Sequence, residues 1–125
     1  MKNTKMLKKN YEFKNVLTKG KYYSGKYVEA FILKNRFNIN FLGLAISVKV
    51  GKATKRNYIK RLIRENFKES EVSIKTGYSI VFLWKKKALF ENATYKNVKE
   101  DINTIFNSAN IYLDKENTWK KYLLV

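Results

Sequence analysis

Residues Phe41–Lys68 read FLGLAISVKVGKATKRNYIKRLIRENFK, and this stretch decides the fold. From Phe41 to Val50 apolar side chains alternate, which predicts a long strand with Leu42, Leu44, Ile46 and Val48 on one side. After Gly51 the period lengthens. Ile59, Leu62, Ile63 and Phe67 recur at helical spacing, so one side of a helix is apolar and can dock on a core. The opposite side carries Asn57, Lys60, Arg61, Arg64 and Lys68, with Arg56 near the border. Lys52, Lys55, Arg56 and Lys60 precede or open this helix, where the macrodipole is positive. An unscreened cation there costs roughly 0.3–1 kcal/mol. A helix built only for stability would carry acids at that end; this one is built to meet phosphate.

Outward from this stretch the chain reads as short, regular elements. Met1–Lys9 is a basic start, expected to be mobile. Asn10 can cap a helix running to about Lys19, with Phe13, Val16 and Leu17 on one face and Gly20 as its stop. Lys21–Lys26 reads as a loop, and Tyr27–Leu33, YVEAFIL, as a strand. Val28, Ala30 and Ile32 face one way along it; Glu29, Phe31 and Leu33 face the other. Asn35–Asn40 is a polar turn. Tyr78–Trp84, YSIVFLW, is nearly all apolar, the mark of a strand buried on both faces. A last amphipathic helix covers about Tyr95–Ala109, with Val98, Ile102, Ile105 and Phe106 as its stripe. The residues alone therefore predict α-β-β-α-β-α, with room for one further short edge strand. The class is α+β, helices against one sheet.

At 125 residues the chain is one domain, and its 45% hydrophobic content supports a folded core despite the charge. Twenty-seven Lys and Arg against ten Asp and Glu leave a formal net charge of +17, which calls for a polyanionic partner. Nucleic acid is the first candidate. A membrane is the weaker one, because no apolar run approaches a spanning length and MKNTKMLKKN lacks the apolar core of a signal peptide. The absence of cysteine excludes disulfides and fits a cytoplasmic location. With neither His nor Cys, Ser-His, Cys-His and zinc chemistry are excluded. No phosphate-cradling Gly-rich loop accompanies Gly51. Glu65 and Glu69, one helical turn apart, read as solvated surface charges. The polypeptide alone is not expected to be a catalyst.

The segment Lys55–Glu65, KRNYIKRLIRE, resembles the signature of the protein subunit of bacterial ribonuclease P: Arg-Asn, then Lys-Arg two residues on, then Arg two further on. Leu7–Asn10 with Glu12, Phe13, Val16 and Gly20 resembles that family's opening helix. Gly43–Gly51 is similar to its central strand and Tyr78–Val81 to its next one. The similarity spans about residues 5–110. It implies one domain over 1–110 and a C-terminal extension over 111–125, either a helix or a frayed tail. The implied fold is a small α/β sandwich with a mostly four-stranded central sheet and three helices, α-β-β-β-α-β-α, ribosomal-protein-S5-domain-2-like, with a left-handed crossover through the basic helix.

The resemblance implies an endoribonuclease subunit for 5′ maturation of precursor tRNA. In that family the chemistry belongs to a catalytic RNA with bound Mg²⁺, and no further protein partner is required. Lys49, Lys52, Arg56, Asn57, Lys60, Arg61 and Arg64 match the RNA-facing surface. Phe13, Leu17 and Phe31, with Lys9 and Lys14, match a cleft for the single-stranded 5′ leader. Read without the resemblance, Phe13, Leu17 and Phe31 are ordinary core. The alternative is a non-catalytic basic RNA-binding module such as a ribosomal protein. Three departures bear on single contacts. Tyr58 stands where the family usually has Arg, Val48 where Lys is common, and Leu17 where an aromatic is frequent. Lys85–Lys87 are placed to substitute for a missing Arg after the last strand.

Overall fold

The computed structural model describes residues 1–113. They run β1 (Thr4–Met6), α1 (Asn10–Lys19), β2 (Lys21–Ser24), β3 (Val28–Lys34), β4 (Asn40–Leu44), α2 (Ala53–Ser70), β5 (Tyr78–Trp84) and α3 (Tyr95–Ala109). The strands form one mixed sheet in the order β1-β4-β5-β3-β2. β1, β4 and β5 are parallel neighbours, while β5–β3 and β3–β2 are antiparallel. β5 lies at the centre with both faces covered, which accounts for its almost wholly apolar sequence.

The strand alternation divides the sheet into two faces. Val28, Ala30 and Ile32 of β3 join Leu42, Leu44, Ile80, Phe82 and Trp84 on the face covered by α2 and α3. There Phe67 of α2, Phe82 of the sheet and Phe106 of α3 meet with ring centroids 6.0–6.4 Å apart. Phe31, Leu33, Phe41, Val81 and Leu83 point to the other face, where α1 docks through Val16. Two helices thus cover one face and a single ten-residue helix the other.

The sheet has five strands where the residues alone predict three with room for one more, and the two not read from the sequence, β1 and β2, are both edges. Thr4–Met6, expected to be part of a mobile start, pairs with Asn40–Leu42 of β4. Three residues are too few to show alternation; the pairing exists because β4 offers an open edge, and the Lys2 amide donates to Glu71 at 2.9 Å. Lys21–Ser24, expected to be a loop, pairs with β3, and Tyr22 lies opposite Phe31. β4 stops at Leu44 instead of continuing to Val50. Beyond it Ile46 stays buried, but Val48–Val50 form a 3₁₀ turn braced by Ser47, and Val48 is exposed. At the start of α1 the capping position is Lys9, not Asn10. The Glu12 carboxylate, rather than an Asn side chain, accepts from the free amides of Lys8 and Lys9. α3 has the predicted bounds, capped by Thr94. Ile111 is fully buried, and Leu113 donates its amide to Ser73. The helix or frayed tail expected further on falls, from residue 114, outside the described residues.

One buried carboxylate joins the two ends of the fold. Asp101 of α3 is 5% exposed and accepts the amides of Lys26, Tyr27 and Val28 at 2.9, 2.7 and 2.9 Å. It thereby fixes the turn between β2 and β3. Asp101→Ala would leave these amides without an acceptor, and hydrogen bonds to a charged group are among the stronger ones. We predict a loss of about 2–4 kcal/mol in urea unfolding, with a smaller loss for Asp101→Asn, which keeps one acceptor oxygen. An unchanged midpoint for Asp101→Ala would show that the turn is held by other contacts.

Candidate nucleic-acid interface

The basic helix is presented by a sharp approach. Gly51 has φ 151° and ψ −166°, a conformation open essentially only to glycine. Its carbonyl accepts from Arg56 Nη1 at 2.7 Å, so part of this guanidinium is spent fixing the entry to α2. Ile59, Leu62, Ile63 and Phe67 are buried, as their spacing predicts, and this turns the cationic side outward. Asn57, Lys60, Arg61 and Arg64 come together with Thr54 and Tyr58 around a shallow depression of about 510 Å³. Lys49 and Lys52 are exposed on the approach, while Arg56 and Lys60 are half-buried.

Tyr58 gives this surface an aromatic ledge. Its ring packs on Phe90 with centroids 5.7 Å apart, and the Arg61 guanidinium lies 5.4 Å from its centre. The Lys55 ammonium sits 5.1 Å from the Phe90 ring. Arg61 also lies 3.9 Å from Glu65, but both are more than half exposed, so this pair holds Arg61 only weakly. The ring orients the cation better than the carboxylate does.

The second surface follows from register. On the face under α1, cross-strand partners form three rows: Phe41–Ser79–Leu33, Gly43–Val81–Phe31, and Leu83–Glu29 with Ala45 beyond the end of β4. α1 crosses the middle row. A Cβ on Gly43 would stand 2.6 Å from Phe13 Cε1 and 3.0 Å from Leu7 Cδ1, so the missing side chain is what admits Phe13. At 100° per residue, Phe13 and Leu17 fall on one flank of α1 and Glu12 and Asn15 on the other, with Val16 between them. Phe13, Leu17 and Phe31 are therefore brought together, half-buried, beside the third row. β4 runs from the first row to the third and on to Lys49 and Lys52, so this cleft opens at the basic-helix end of the sheet.

Further polar groups border the cleft. Tyr22 packs on Phe31 at 5.4 Å and donates its hydroxyl to Glu29; that hydrogen bond holds the phenol above its ordinary pKa, so it stays a donor. Tyr22 and Glu29 enclose, with Lys85, Lys86 and Lys87, an open hollow of about 470 Å³. Lys9 and Lys14 are exposed, and the Lys9 ammonium lies 5.8 Å from the Tyr11 ring. Sequence reasoning did not single out Tyr22 or Phe90. Tyr22 lies in KYYS, four residues without a clean alternation, and nothing local marks Phe90 either.

Among the described residues no three of His, Cys, Asp and Glu come together so as to hold a metal ion. No described helix is long and apolar enough to cross a membrane. A cationic helix face and an aromatic, partly covered sheet, in a chain of charge +17, define an α+β RNA-binding protein. The family model for ribonuclease P matches residues 1–110. The ribonuclease P protein component of Clostridium botulinum is 38% identical over 113 residues, covering 90% of this chain and 99% of that protein. That of Clostridioides difficile is 37% identical, covering 86% and 94%. Among solved structures, the Staphylococcus aureus RNase P protein superposes with a TM-score of 0.76 at 26% identity, covering 86% of this chain and 97% of that one. The Thermotoga maritima protein gives 0.73 at 30% identity, covering 82% and 96%. The chain belongs to the ribonuclease P protein family. It is a subunit of the RNase P endoribonuclease, acts in tRNA processing and associates with ribonuclease P RNA.

Gly43→Ala tests the docking of α1. The added methyl must displace the Phe13 ring or the Leu7 side chain, and overpacking of this kind costs typically about 1–3 kcal/mol. We expect a lowered urea midpoint; wild-type stability would mean that Phe13 is not seated against Gly43.

Proposed function

We propose that the two surfaces divide the RNA between them. The α2 face of Asn57, Lys60, Arg61 and Arg64, with Arg56, Lys49 and Lys52 leading in, binds the catalytic RNA. The cleft of Phe13, Leu17 and Phe31, with Lys9 and Lys14, holds the single-stranded 5′ leader of precursor tRNA. The observation that carries this reading is their placement. β4 ends at both the cleft and the basic helix, so one RNA assembly can occupy the two surfaces together. Aromatic faces flanked by lysines suit unpaired nucleotides, because every base has a π-face and stacking needs no particular sequence.

The protein's part is binding and positioning. The acids of this chain do not form a donor set for Mg²⁺ among the described residues, so we assign that ion to the RNA. A cationic subunit screens phosphate repulsion between catalytic RNA and substrate, which lowers the Mg²⁺ needed to hold them together. The absence of cysteine suits a reducing cytoplasm, where we place this assembly, and we assign no further protein partner.

The deciding experiment is cleavage of a precursor tRNA by a bacterial ribonuclease P RNA at low Mg²⁺, with and without this protein. Strong activation, with no cutting by protein alone, is expected; no activation across several cognate-like RNAs would overturn the reading. Replacing Arg56, Lys60 and Arg64 together by Ala should weaken binding to the RNA subunit. It should also flatten the plot of log K against log salt by roughly 0.7–0.9 for each phosphate no longer neutralised. An unchanged slope would remove α2 from the interface. Phe13→Ala should weaken precursor more than mature tRNA; equal losses would make Phe13 a core residue only.

A further inference from the structure

The first row of the sheet is also uncovered, on the far flank of α1. Phe41, Leu33 and Ser79 form the floor of an open hollow of about 540 Å³ whose rim includes Tyr11 of α1 and Phe37 of the turn between β3 and β4. Both rim aromatics face solvent, Tyr11 67% exposed and Phe37 62%. Phe37 is nonetheless held in place. Its ring meets Phe41 edge-on at 5.6 Å, and its amide donates to Asn35 Oδ1 at 2.8 Å. Asn35 Nδ2 in turn donates to Ser79 Oγ at 3.2 Å and to the Ile39 carbonyl at 3.3 Å. The turn therefore presents a preset ring instead of a loose one. Phe13, Leu17 and Phe31 take no part in this hollow, which is separate from the cleft.

The surroundings select the occupant. Lys34 lines the hollow, Arg36 is exposed beside it, and Lys9 lies over Tyr11. The one acid in the lining, Glu12, has an oxygen engaged by the amides of Lys8 and Lys9. Exposed rings flanked by cations on a strongly basic chain fit an unpaired polyanion with flat faces, which is single-stranded RNA. Lys9 and Lys14 are exposed at the entry and on the outer side of α1, the helix that separates cleft from hollow. We infer that this hollow takes an unpaired base from the 5′ leader, upstream of the nucleotides held in the cleft. The inference rests on the leader reading of the cleft. Because a helix about 10–12 Å wide separates the two sites, only long leaders can reach both.

The test uses the holoenzyme assembled from this protein and a bacterial ribonuclease P RNA. Affinities are measured for one precursor tRNA whose leader only fills the cleft and another whose leader continues as a single strand. Wild type should bind the long leader at least about fivefold more tightly, the lower end for one stacked base. The double variant Tyr11→Ala, Phe37→Ala should lose that gain and keep short-leader affinity. A gain that persists in the double variant overturns the inference. So does the absence of any gain in wild type, even if Phe13→Ala still weakens the short leader and leaves the cleft reading intact. If Phe13→Ala has no effect on the short leader while the double variant erases the long-leader gain, the cleft reading falls and overturns the placement upstream of it, while contact between leader and hollow is supported. Should the double variant also lose short-leader affinity, Phe37→Trp decides: a retained gain supports the hollow, and its disappearance overturns it.

Discussion

Everything functional here depends on one imbalance of coverage. Five strands present two faces; α2 and α3 close one, and a ten-residue helix crosses the other. With its side chains a helix is only about 10–12 Å wide, enough for the row it lies along but not for the full width of three. Its position over the middle row follows from Gly43, the place where the ring of Phe13 can sink. Aromatic and aliphatic side chains on both flanks are left half-covered. Leaving apolar area in water forgoes about 25 cal/mol per Å², so such rows reduce stability unless something binds them. In a chain this cationic, RNA is the partner proposed for them.

The closed face carries the stability that the open one gives up. Phe67, Phe82 and Phe106 interlock α2, α3 and the sheet, and they do so beneath a helix whose outer side exposes Lys55, Arg61, Arg64 and Lys68 against Glu65 and Glu69. Mutual repulsion along α2 works against the helix, and its N-terminal cations also oppose the macrodipole. Burial of Ile59, Leu62, Ile63 and Phe67 offsets these terms. Under the proposed assignment of this face to RNA, bound phosphate would relieve both terms, and RNA binding would stabilise the fold.

Elements with a long, clean period were legible in the sequence, and the legible residues are those that build the closed face. YSIVFLW and the stripe Val98, Ile102, Ile105, Phe106 correspond to β5 and α3 with the bounds expected. β1 and β2 were not legible, because three or four residues on an edge need only backbone partners and leave no pattern of their own. The alternation through Val48 misled for a related reason. β4 leaves β5 after Leu44 although β5 itself continues to Trp84: the Ala45 amide still donates to the Phe82 carbonyl, and the turn braced by Ser47 then carries the chain away, whatever the side-chain alternation suggests. The outward-facing cations of α2 were readable as one helix face. The pairing of Tyr11 with Phe37 was not, since twenty-six positions separate them and only cross-strand register brings them to one rim.

Tyr58 shows how a departure from a family pattern can change a contact without abolishing a surface. An arginine there would offer a bidentate grip on phosphate, which a phenol cannot. The ring instead packs on Phe90 and lies under Arg61, giving that guanidinium a preferred orientation before RNA arrives. A flexible arginine loses side-chain entropy when it is immobilised on a phosphate, and prior orientation reduces that loss. One charge is given up and a neighbouring charge is better directed. The same logic extends to Lys55 over Phe90, so the aromatic pair organises cations from two successive turns of the helix. Charge counting alone would rank this surface below one with a full set of arginines. The geometry adds a second consideration, that Lys55 and Arg61 are each held against a ring.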